Sequence, residues 1–149
     1  MNRPSQPPES RTGLLNYNVP ENIMFTSIVE VSATKQEFRF SKGAKESRFR
    51  PVLFLSADGK ILSLGSAPVL GVVDREVHPF EGGGSTDAFA WLEAMMRYGF
   101  RDVSGRLRIG PLRVEISIGA DIGQDLKGFA PELFQRAAMN AGAAKVVIR

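Results

Sequence analysis

From Met24 onward apolar and polar side chains alternate, and the alternation predicts an extended chain. Phe25-Thr26-Ser27-Ile28-Val29-Glu30-Val31 reads as a strand, with Gln36-Glu37-Phe38-Arg39-Phe40 as its hairpin partner across Ser32 to Lys35. After a basic loop come two more apolar runs, Pro51 to Ser56 and Lys60 to Leu64, with the turn signal Ala57-Asp58-Gly59 between them. The first third is thus predicted to be an antiparallel meander. A long loop, Gly65 to Gly84, leads to a helix capped by Ser85 or Thr86, with Asp87 in its first turn. Phe89, Leu92, Met96 and Phe100 recur at helical spacing as a buried stripe, widened by Trp91, Met95 and Tyr98. Leu112, Val114, Ile116 and Ile118 alternate again as a strand. Gly119 and Gly123 bracket a turn, and a second helix is expected from Gln124 or Asp125 to Ala141, with Pro131 in its first two turns pointing to a start nearer Ala130. Gly142 closes that helix in the left-handed conformation. Lys145 to Ile148 makes a last short strand. Residues 1–20, with four prolines, read as a disordered tail ahead of a single domain over 21–149.

Composition narrows the field. The 149 residues are 43% hydrophobic and 23% charged, the make-up of one globular domain with a sizeable core. The apolar runs, such as Pro51 to Leu55, fall far short of the ~20 residues that span a bilayer. The N-terminus lacks the apolar core of a secretory signal. A cytoplasmic location is the expectation. With no Cys, disulfides, thiol catalysis and Cys-ligated metals are excluded. The net charge of +3 is too small to signal nucleic acid. Its two basic clusters, Lys42, Lys45, Arg48 and Arg50, and Arg101, Arg106, Arg108 and Arg113, read first as solvated strand ends and loop edges, with a patch for nucleic acid, anionic lipid or an acidic partner as the second reading.

Three stretches together resemble the N-terminal half of actin-like ATPases of the MreB family. Arg50-Pro51-Val52-Leu53-Phe54-Leu55 followed by Asp58-Gly59-Lys60-Ile61-Leu62-Ser63-Leu64-Gly65 is similar to the family's P-S-V-V-A and D-G-K-x-x-A-V-G. Arg113-Val114-Glu115-Ile116-Ser117-Ile118-Gly119 is similar to R-V-V-I-C-V-P. Ala137-Ala138-Met139-Asn140-Ala141-Gly142-Ala143-Ala144-Lys145-Val146-Val147-Ile148 resembles A-A-x-x-A-G-A-x-x-V-x-L. A weaker likeness joins Arg75 to Phe80 with the family's I-R-P-L loop. The resemblance covers roughly residues 24–149, in order. It implies a ribonuclease-H-like, actin-like α/β fold: a mixed sheet of antiparallel meander plus parallel strands, with helices on its faces.

It also implies a site, with departures. The family's phosphate-binding turn reads D-x-G-T-x-N-T, and the matching stretch here is Glu30-Val31-Ser32-Ala33-Thr34-Lys35-Gln36. Such a turn uses Gly so that backbone N–H groups close on phosphate oxygens. Ser32 stands at the Gly position and Ala33 at the first Thr. Glu30 keeps the metal-facing charge, and Lys35 is placed to meet a phosphate. Glu30, Ser32, Thr34 and Lys35 are therefore the candidate residues of a degenerate ATP and Mg²⁺ site. The second phosphate loop and the adenosine pocket of the family lie in a second domain beyond this sequence. The segment from Gly65 to Asp87 is shorter than the family's inserted subdomain. Phosphoryl transfer depends on positioning from several sides, so hydrolysis by this chain alone is not expected.

Other chemistries rest on single residues. Glu30, Glu93 and Asp121 fall on the elements that carry two-metal nuclease carboxylates in ribonuclease-H-like folds. His78, the one histidine, makes neither triad nor metal site. Ser85-Thr86 follows three glycines, but no Lys follows and the spacing is not that of a phosphate loop. The leading expectation is a non-catalytic interaction or assembly module, linked through the resemblance to cell shape or cytoskeleton. It would bind a protein partner or itself through a sheet edge or an uncovered face. The alternatives are weak nucleotide binding without turnover and, through Glu30, Glu93 and Asp121, a ribonuclease-H-like metal-dependent nuclease.

Overall fold

The computed structural model describes residues 28–81, 87–105, 111–125 and 130–149. The Pro-rich segment 1–20, the start of the first strand, the Ser85 or Thr86 cap and Phe129 lie outside the described residues. Strands β1 (Ile28–Ala33), β2 (Phe38–Lys42) and β3 (Lys45–Phe49) form an antiparallel meander. On its other side β1 pairs in parallel with β7 (Arg113–Ile118), and β7 with β8 (Lys145–Ile148). The five-stranded order is β3-β2-β1-β7-β8. The chain is therefore an α/β protein with a mixed sheet, as its pattern predicts.

The third strand of the meander is not the one expected. It is β3, within the stretch predicted as a basic loop. Only Ser47 is buried there and Phe49 half-buried, while Lys45, Glu46 and Arg48 face solvent, so an edge strand left almost no apolar period to detect. Pro51 to Ser56 and Lys60 to Leu64 contribute instead to a second sheet of β4 (Leu53–Leu55), β5 (Ile61–Leu64) and β6 (Arg75–Val77), ordered β5-β4-β6. The Asp58-Gly59 turn joins β4 to β5 as predicted, with Gly59 at φ +84°. Strand β6 lies inside the span predicted as loop, because three residues without alternation carry no signal.

Helix α1 (Ala88–Ser104) lies over β2 and β3, and α3 (Ala130–Asn140) over β7 and β8, packed side by side. Both cover the face that presents Val29, Val31, Ala33, Phe38, Phe40, Val114 and Ile116. The stripe of Leu92, Met95, Met96 and Phe100 is buried as the spacing requires. Tyr98 is half-exposed but sets its ring edge-on to Phe49 at 5.4 Å. Aromatic rings link the layers: Phe38 contacts Phe40, Phe49, Phe80 and Phe134, and Phe40 meets Phe100 edge-on at 5.6 Å. Gly99 sits mid-helix because any Cβ there would overlap the Phe40 ring.

Where the second helix is expected, α3 starts at Ala130, the start to which Pro131 points. A short α2 (Ala120–Asp125) occupies the place of the turn expected between Gly119 and Gly123. Gly142 closes α3 at φ +118°, its N–H reaching the Met139 carbonyl, as predicted. No helix among the described residues is long and apolar enough to cross a membrane.

Candidate functional site

Alternation along β1 decides where the candidate residues go. Val29, Val31 and Ala33 turn to the helices, so Glu30 and Ser32 stand on the opposite, uncovered face. Thr34 and Lys35 fall in the turn to β2. There Thr34 N–H donates to the Glu37 carbonyl at 2.9 Å. Glu37 N–H donates back to Thr34 Oγ1 at 3.0 Å, so the hydroxyl is spent within the turn. Lys35 N–H donates to Asp121 Oδ2 at 3.1 Å, while Asp121 Oδ1 accepts from Ile122 N–H at 2.9 Å. A carboxylate of this chain thus occupies a turn amide that a phosphate would need.

Gly119 makes that approach possible. Its N–H donates to the Ala33 carbonyl at 2.8 Å. A Cβ on it would lie 3.0 Å from that carbonyl oxygen and 2.7 Å from Asp121 Oδ1. The ends of β1 and β7 are therefore tied together by backbone and by Asp121.

The four candidates do not share one cavity. Glu30 and Ser32, with Arg39, Ser41, Glu115, Ser117 and Arg149, line a depression of about 160 Å³ on the open sheet face. Lys35 lines another of about 320 Å³, with Arg50, Pro51, Val52, His78 and Glu81. His78 Nε2 lies 2.8 Å from Glu76 Oε2, and Nδ1 lies 3.7 Å from Glu81 Oε2.

Of the three carboxylates considered for a nuclease, Glu93 is engaged in the helix layer. It meets Arg97 at 2.6 Å and Asn140 Nδ2 at 3.4 Å, and Arg97 also donates to the Asn140 carbonyl. The Arg97 hydrogen bond holds the Glu93 carboxyl below the usual glutamate range, and the Asn140 amide adds to it. Glu30 is across the sheet. Among the described residues no group of three or more His, Asp or Glu side chains is placed to hold a metal ion.

Two features escaped the sequence reading. The loop between β5 and β6 carries Val69, Leu70 and Val72 at 98%, 84% and 85% exposure. The uncharged run from Ile61 to Val73, ahead of Asp74, was the available signal. The second is the arrangement of charges on the open sheet face, which depends on strand register. No protein-family model matches the chain, and no curated protein sequence matches it.

Proposed function

We propose that this chain is a non-catalytic interaction module with a ribonuclease-H-like, actin-like sheet. The order β3-β2-β1-β7-β8, antiparallel to one side of β1 and parallel to the other, supports the fold half of that reading. The observation that carries the functional half is the aliphatic tip of the β5–β6 loop. It is held at both ends: Ser63 Oγ donates to the Ser66 carbonyl at 2.6 Å, and Asp74 N–H to the Leu55 carbonyl at 2.8 Å. Gly71 turns the loop at φ +99°, and a Cβ on it would meet Leu62 at 3.4 Å. Three branched side chains are thereby presented to water, and burying each against a partner stabilises a complex by about 1.5–3 kcal/mol. By resemblance the partner is a filament or cell-shape component.

The spent amides of Thr34 and Lys35 weigh against the alternative, a weak ATP and Mg²⁺ site at Glu30, Ser32, Thr34 and Lys35. Two measurements test the reading. Paired affinity captures with the natural chain and the Val69→Ser, Leu70→Ser, Val72→Ser variant should differ by the loss of a specific partner. Identical captures sink the tip as a docking element. Titration of ATP and Mg²⁺ should leave the amide resonances of residues 30–36 in place, and steady hydrolysis silenced by Lys35→Ala would overturn the non-catalytic half.

A further inference from the structure

The register of the five-stranded sheet sorts the side chains of its open face into rows running across the strands. Pairing of Glu30 with Ser41 and Glu115, and of Ser41 with Glu46, makes one row: Glu46, Ser41, Glu30, Glu115. Two residues along, about 7 Å away, Arg48 pairs with Arg39, Arg39 with Ser32, and Ser32 with Ser117. Arg149, just past β8, ends that row, its guanidinium paired with Glu115. An acidic row with three carboxylates therefore lies beside a basic row with three guanidiniums.

We infer that this striped face docks against the same face of a second copy. A two-fold axis parallel to the rows, midway between them, sets the acidic row of each copy on the basic row of the other. That is the isologous self-complementarity a dimer requires. Three observations favour a second copy. The two stripes are of opposite sign, and Arg113 and Lys145 on the far flank of the acidic one add further cations, so a uniformly charged partner would meet repulsion along part of the face. Arg39, Arg48 and Glu46 share ion pairs at 3.1–3.8 Å yet keep roughly 40–60% of their side-chain surface free for another partner. Glu30, at the centre, has no ion-pair partner among the described residues and is exposed.

Parallel strands are ordinarily covered on both faces, and β1, β7 and β8 show one that is largely charged, with Ile28 and Val147 among the charges. Five strands about 4.8 Å apart give a patch of only about 400 Å² per copy, below the ~800 Å² of a standard interface. The dimer is accordingly weak and governed by charge. The β5–β6 tip takes no part in it, so this inference and the proposed function stand or fall separately.

Sedimentation of the full chain at about 0.1–1 mM should show mass rising toward twice the monomer in ~50 mM NaCl. Association should weaken at least about tenfold in ~0.5 M NaCl, where charges are screened within a few Å. Glu30→Lys with Glu46→Lys makes both rows basic, and Arg39→Glu with Arg48→Glu makes both acidic. Each variant alone should be monomeric, and an equimolar mixture should restore the dimer, which also shows that both are folded. If either variant fails to fold, the salt dependence of the natural chain decides. A natural chain that stays monomeric at low salt, or associates regardless of salt, overturns the inference. A monomer that shifts only on adding a short polyanion also overturns it, and hands the arginine row to an anionic partner.

Discussion

The two sheets of this molecule stand in different relations to water. In the larger sheet every strand gives one face to the helices, and Val29, Ala33, Phe38, Phe40, Val114 and Ile116 are fully buried. In the smaller sheet only the middle strand is fully buried: Leu53, Phe54 and Leu55 are all inside, while β5 is half-buried and β6 is mostly exposed. The difference teaches where stability and recognition reside. Leu53, Leu55 and Phe80 join the main core, so β4 anchors the small sheet to the large one. Its flanks touch the core only through Leu64 and Val77, and the tip of their connecting loop at Val69, Leu70 and Val72 stands in water.

Phe40→Ala should be the most damaging change, costing about 3–5 kcal/mol in urea unfolding. Leu70→Ser at the loop tip should stay within about 0.5 kcal/mol of the natural chain. Comparable losses at the two positions would break the contrast. Gly99→Val forces a side chain into the space of the Phe40 ring and should cost about 1–3 kcal/mol, with near-ultraviolet dichroism reporting the disturbed aromatics. Asp121→Ala removes the acceptor for Lys35 N–H and should cost about 1–2 kcal/mol. The Lys35 amide should then lose its protection from hydrogen exchange.

Glu93→Gln sharpens the comparison at its small end, since the Glu93–Arg97 pair is partly solvated. Its effect is about 0.3–0.5 kcal/mol. Because the folded carboxyl titrates below its ordinary range, that contribution is full above the unfolded value and is lost as pH falls through the folded one. The melting temperatures of the natural chain and the Glu93→Gln variant should differ near neutral pH and converge in acid.

Most of the large sheet was legible because its strands alternate on one buried face. Phe38 and Phe40, or Val114 and Ile116, show period two without any knowledge of partners. Strands β3 and β6 were not legible: β3 turns only Ser47 and Phe49 toward the core, and β6 has no alternation at all. The start of α3 at Ala130 was legible from Pro131, whereas the short α2 was not, and the bond from Asp121 to the β1–β2 turn spans 86 positions of sequence. Of the candidate site, Glu30 and Ser32 were legible as partners on one face from their spacing of two. Their separation from Lys35 into another depression needed the turn geometry. The charge rows needed the register, which no local pattern encodes.

Strand β1 has one neighbour close in sequence and one far away, its register setting Ile28 beside Arg113. During synthesis the meander emerges first, so β1 carries an unpaired edge until β7 has left the ribosome. Pairing over such a span is slow, and an open edge of Val29 and Val31 invites wrong partners meanwhile. Chaperone demand for this chain should therefore peak before its last third is made.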